Sequence, residues 1–102
     1  MLTVVAIVES SANGVQALRA AFADMETASR AEAGCHDYTF SQEISNPNTL
    51  RINELWESMD ALKEHFATEH MAKFNAAIAA HPPKSMTLRV HELGEERALP
   101  TG

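Results

Sequence analysis

Asn53-Glu54-Leu55-Trp56-Glu57-Ser58-Met59-Asp60-Ala61-Leu62-Lys63-Glu64-His65-Phe66, running on through Ala67-Thr68-Glu69-His70 to Phe74, is the stretch on which the reading of this chain turns. Its period changes midway. From Leu50 to Trp56 the residues alternate as a strand does, with Leu50, Ile52, Glu54 and Trp56 on one face and Arg51, Asn53, Leu55 and Glu57 on the other. Beyond Ser58 the spacing becomes helical: Met59, Leu62 and Phe66 fall on one stripe, with His65 at its margin. A strand therefore delivers the chain's one tryptophan to the lip of a helix, and the helix brings a histidine back toward the sheet. Two such elements can wall a small pocket.

The helix has its own punctuation. Ser58 is placed to cap it and Asp60 lies in its first turn, where the helix dipole favours negative charge. Thr68 is a second cap, so a break near Ala67 separates Met59–Phe66 from a further helix over Glu69–Ala80, whose inward stripe is Met71, Phe74, Asn75 and Ile78. His81-Pro82-Pro83 stops it. Upstream, Tyr38, Phe40, Gln42 and Ile44 alternate against Asp37, Thr39, Ser41 and Glu43 in a strand, and Ser45-Asn46-Pro47-Asn48 turns it into the Trp56 strand as a hairpin. The β-branched run Leu2–Val8 reads as a central strand buried on both faces. After it, Asn13 and Gln16 form a capping-box pattern ahead of a helix carrying Val15, Leu18, Phe22 and Met25 to about Ala31, with Gly34 just past its end. Met86–His91 alternates as the last strand.

The resulting order, β-α-β-β-α-β, predicts an α+β protein of the ferredoxin-like, split β-α-β kind, with an antiparallel sheet and its helices on one face. Residues 1–95 form one domain and 96–102 a C-terminal tail. The uncovered sheet face carries Val5, Ile7 and Leu55, and an apolar face of this kind favours a partner over water, so a homodimer joined sheet to sheet is expected.

Composition narrows the function. The 102 residues carry 14 acids against 8 bases, a formal charge of −6 that repels phosphate backbones and argues against nucleic-acid binding. Apolar runs fall well short of the roughly 20 residues a membrane span needs. Cys35 stands alone and no leader precedes Leu2, which together predict a reduced, cytoplasmic protein.

The blocks Met1–Ala6, Gly34-Cys35-His36-Asp37-Tyr38, Glu54-Leu55-Trp56-Glu57-Ser58 and Leu62–Met71 resemble the antibiotic biosynthesis monooxygenase family, and most nearly its quinol monooxygenase branch. The resemblance implies a dimeric α+β barrel with a pocket between sheet and helices in each subunit. It also implies oxygenation of a quinol or phenolic polycyclic substrate by molecular oxygen, with no flavin, haem or metal cofactor. A deprotonated quinol can itself reduce oxygen, so the protein need only take the proton, hold the anion and exclude water.

His65 matches the family's histidine and is the first choice of base, since an unperturbed imidazole pKa of about 6.5 leaves much of it neutral. Trp56 can stack on a planar ring and donate its indole N–H, and Tyr38 can donate its hydroxyl. Glu54, His70, Ile52, Leu62, Phe66 and Phe74 complete the expected substrate-binding set. Glu54, buried, needs a partner such as His65 or backbone N–H groups. No spacing around Cys35 and His36 demands a metal.

Three departures bear on substrate. Ile52 stands where anthrone-oxidising members carry an asparagine, and Leu62 where they keep a tyrosine; Ala6 and Ile7 replace the first-strand asparagine of haem-degrading relatives. The same fold houses isomerases of small phosphorylated sugars, which would need Lys63, Lys73, Lys84 and Arg89 gathered into one pocket, and ligand-binding or stress-response dimers without turnover.

Overall fold

In a computed structural model, residues 1–100 are described, and they form β1 (Leu2–Glu9), α1 (Ala12–Arg30), β2 (Cys35–Gln42), β3 (Thr49–Trp56), α2 (Met59–Phe66), α3 (Glu69–Ala80) and β4 (Ser85–Glu92). The four strands make one antiparallel sheet in the order β2-β3-β1-β4. Strand β1 is central, as its β-branched run predicts. The helices lie on one face, so only that face of β1 is dry: Leu2, Val4, Ala6 and Val8 are buried while Val5 and Ile7 are half-covered. The expectation that β1 is buried on both faces fails within a single chain because nothing packs on the outer side.

Val15, Leu18, Phe22 and Met25 project from α1 into this core, where Phe22 stacks on Phe40 with ring centroids 4.7 Å apart. Two polar ties hold α1 to the edge strand. The Phe40 N–H donates to Glu26 Oε2 at 2.8 Å, and Arg30 Nε donates to the Tyr38 carbonyl at 2.8 Å. The cap of α1 is Ser11, whose Oγ accepts from the Gly14 N–H at 3.0 Å, so Asn13 lies in the first turn rather than ahead of it. Strand β2 ends at Gln42. Ile44 is fully exposed in the connecting turn: the bond from Glu43 N–H to the Thr49 carbonyl continues the Gln42–Leu50 register, and the chain turns away after it.

The helical break near Ala67 is built by Thr68. Its Oγ1 donates to the His65 carbonyl at 2.7 Å and accepts from the Met71 N–H at 3.2 Å, closing α2 and opening α3 with one side chain. The inward stripe of α3 runs through Met71, Phe74, Ala77 and Ile78, whereas Asn75 faces water. On α2 the phase also differs from expectation. Leu62 and His65 point inward, while Met59 and Phe66 are 44% and 50% exposed. The Glu32 carboxylate, half-covered and 2.6 Å from Nδ1, makes the imidazole a stable inward residue.

Gly34 positions the hairpin beneath α2. Its φ of +84° lies in the left-handed region, and a Cβ there would stand 2.8 Å from the Ala61 Cβ. Its carbonyl accepts the Glu57 N–H at 2.7 Å, tying the start of β2 to the end of β3. Gly34→Ala should therefore lower stability by about 1 to 3 kcal/mol, from backbone strain and the steric conflict together. Urea unfolding monitored by Trp56 fluorescence measures it.

Candidate active site

Strand β3 sets the floor of the site. Its alternation places Leu50, Ile52, Glu54 and Trp56 on the helix side, all buried, with Trp56 at 0% exposure. Beside it, β2 carries a bulge: Cys35 pairs with Trp56 and Asp37 with Leu55, leaving His36 as the extra residue. That single insertion lets both Cys35 and Tyr38 face inward, with Tyr38 opposite Glu54. His36 is turned out, where its Nε2 meets Glu57 Oε2 at 2.6 Å on the surface.

Above this floor α2 lays His65. The imidazole is 1% exposed, with its centroid 4.7 Å from the indole of Trp56 and 5.4 Å from the Tyr38 ring. These are contact distances, so no ring-sized space separates indole and imidazole. The partner of His65 is Glu32, from the loop between α1 and β2, whose Oε2 accepts from Nδ1 at 2.6 Å. The same oxygen accepts from His70 Nε2 at 2.8 Å. One carboxylate oxygen thus joins the α1–β2 loop, α2 and α3. With Nδ1 donating, the lone pair of a neutral His65 ring falls on Nε2.

Glu54 has a different partner from the one expected. The Trp56 indole N–H donates to Glu54 Oε1 at 2.9 Å, so that donor is engaged inside the protein, and Glu54 is not a partner of His65. Burial lifts the Glu54 pKa to about 7, the indole hydrogen bond opposes this, and the charge of Glu32 adds to it. Burial and then the Glu54 charge push the Tyr38 phenol well above its ordinary value, keeping it a donor. Burial, followed by Glu32 and Glu54, raises the Cys35 thiol to about 11, which makes it a poor nucleophile. Ser29, fully buried on α1, lies beside the Tyr38 hydroxyl, and its side chain opposes part of the rise in the phenol pKa.

The remaining expected residues divide. Ile52, Leu62 and Phe74 are buried around the cluster, His70 is partly open, and Phe66 stands half in water. His70 and Phe74 line a cavity of about 230 Å³ between α1 and α3, together with Ala21, Asp24, Met25 and Lys73. A second cavity of about 210 Å³ lies under α1 against Phe22, Phe40 and Leu50. Sequence reasoning passed over Glu32, which sits 33 and 38 residues from its two histidines and belongs to no local motif.

A four-stranded antiparallel sheet with its helices on one face, enclosing an imidazole–carboxylate cluster beside a tryptophan, places this protein among the ferredoxin-like α+β proteins. The chain belongs to the antibiotic biosynthesis monooxygenase family, whose model matches residues 1–77. A Deinococcus radiodurans structure described as a candidate antibiotic biosynthesis monooxygenase superposes with a TM-score of 0.91 at 24% identity, over 99% of this chain and 100% of that one. A Mycobacterium tuberculosis structure matches with a TM-score of 0.84 at 26% identity, over 95% of this chain and 98% of that one. A Synechocystis protein described as uncharacterised is 27% identical over 71 residues, which are 70% of this chain and 48% of that one. The chain thus spans about half the length of that relative. No helix among the described residues is long and apolar enough to cross a membrane.

The raised Glu54 pKa makes stability depend on pH. Its folded value of about 7 lies above the ordinary 4.5, so between the two the folded protein holds a proton that the unfolded chain has released. The stabilisation is complete below the unfolded pKa and is lost as pH rises through the folded one. Glu54→Gln keeps the acceptor for Trp56 and removes the titration. From about pH 5 to about pH 8 its unfolding free energy should gain on the parent by on the order of 2 to 3 kcal/mol. Urea denaturation at the two pH values reads the difference.

Proposed function

We propose that the protein is a monooxygenase that uses no cofactor and oxidises a quinol or phenolic polycyclic substrate with molecular oxygen. The observation that carries this reading is the pairing of His65 Nδ1 with Glu32 Oε2 at 2.6 Å, against an aromatic floor of Trp56 and Tyr38. A carboxylate on Nδ1 orients the ring and leaves the Nε2 lone pair to accept a proton, as the general base of such a reaction requires. The substrate hydroxyl gives its proton to His65, the electron-rich anion reduces oxygen, one oxygen atom enters the ring and the other leaves as water. Tyr38, held protonated, donates to the developing oxyanion. Trp56, fully buried, supports the site by packing its ring against His65 and by holding Glu54, since its N–H is taken.

His70 and Phe74 extend the site into the neighbouring cavity, whose volume of about 230 Å³ suits a bicyclic quinol. Ile52 and Leu62 supply apolar surface; they offer no polar group for an anthrone carbonyl, which favours the quinol branch. The functional unit is a homodimer joined through the outer sheet face, where half-covered Val5, Ile7 and Leu55 form an apolar centre rimmed by polar positions such as Arg51, Asn53 and Arg89. No such gathering supports a sugar-phosphate isomerase: Lys73 lies on the helix side and Arg89 pairs with Val5 on the outer face.

Oxygen uptake with a reduced naphthoquinone tests the reading. The protein should exceed autoxidation, His65→Ala should lower the rate by about 100-fold or more, and Trp56→Phe should lower it less. Uptake no faster than autoxidation, or unaffected by His65→Ala in a folded variant, overturns it.

A further inference from the structure

We propose that Glu32, His65 and His70 form a binding site for a divalent transition-metal ion of the zinc type, and that the ion and the base function of His65 exclude one another. Each side chain offers one ligand atom, and the three atoms lie within 4.8 Å of one another. They come from the α1–β2 loop, α2 and α3, so the fold itself brings them together. Two imidazole nitrogens and a carboxylate oxygen are the donor set of open, three-ligand zinc sites, in which water takes the fourth position. At bond lengths of roughly 2.0 to 2.1 Å, tetrahedral ligand atoms stand about 3.4 Å apart. The present separations of 2.6 Å and 2.8 Å to Glu32 Oε2 are those of hydrogen bonds, and an ion enters when these open by less than about 1 Å and the two ring nitrogens, within 4.8 Å of each other, come to the same spacing.

Burial and electrostatics favour occupancy. The side chains of Glu32, His65 and His70 are 13%, 2% and 25% exposed, so the site is sheltered yet open on the His70 side, next to the helix cavity. Among the described residues Glu32 has no lysine or arginine partner, and its charge reaches Cys35, Tyr38 and Glu54. A cation would meet that negative field.

Metal on Nδ1 forces the remaining ring proton of a neutral His65 onto Nε2. The lone pair that would accept the substrate proton is then gone. This second half of the inference rests on the monooxygenase reading; the binding half does not.

The test uses full-length protein stripped with chelator and titrated with Zn²⁺ by calorimetry, then with Co²⁺ by visible absorption. Expected are one ion per chain and a tetrahedral or five-coordinate cobalt spectrum. His70→Ala and Glu32→Gln should each weaken binding at least tenfold, while His36→Ala, which breaks the surface pair, should leave it unchanged. Absence of stoichiometric binding, or binding that survives in both cluster variants while they remain folded by circular dichroism, overturns the site. In the oxygen-uptake assay, one equivalent of Zn²⁺ should suppress turnover by the stripped protein at least tenfold, and undiminished or enhanced uptake overturns the exclusion. Should the stripped protein show no turnover, the monooxygenase reading fails, and the calorimetric result still decides the site.

Discussion

The Glu32 carboxylate oxygen, shared between His65 Nδ1 and His70 Nε2, is the contact on which the arrangement of this molecule depends. An imidazole at 1% exposure is costly unless its polar atoms are paired, and here the pair is supplied by a residue outside any helix or strand. The consequence is geometric. Because His65 can be buried, α2 rolls to bring Leu62 and His65 down on Trp56, and Met59 and Phe66 are left at its flanks. Because His70 reaches the same oxygen, α3 begins at a fixed angle, with Thr68 closing the corner between the two helices.

Beneath that cluster lies a second acid, this one buried, and the two do not touch. Glu54 takes the indole N–H, Glu32 takes the imidazoles, and the charge of Glu32 bears on Glu54 through the core. The result is a region with a surplus of negative potential: a phenol and a thiol are held protonated, and a carboxyl is poised near neutrality. Groups with perturbed ionisation of this kind concentrate where proton transfer takes place. The same potential makes the cluster receptive to a cation, so proton-accepting chemistry and metal binding arise from one arrangement.

Much of this was legible in the chain. The change of period at Ser58 located the β3–α2 junction, the alternation of β3 put Glu54 and Trp56 on the inner face, and Thr68 marked the break between α2 and α3. Local signals of that sort are written in a few consecutive residues. What could not be read was long-range. Nothing near Glu32 announces histidines 33 and 38 positions away, and nothing in Cys35-His36-Asp37 announces the bulge that lets Cys35 face inward along with Tyr38. The phase of α2 was misjudged for the same reason, since hydropathy ranks Phe66 above His65 until the Glu32 carboxylate is known.

The tautomer of His65 tests this account most directly. Long-range ¹H–¹⁵N correlation spectra of the folded protein at neutral pH distinguish a protonated Nδ1 from a protonated Nε2. The account predicts the Nδ1–H form, with its proton shifted strongly downfield by Glu32 and restored to an ordinary position in Glu32→Gln. A ring protonated on Nε2 alone, or one averaging freely between both forms, would contradict it.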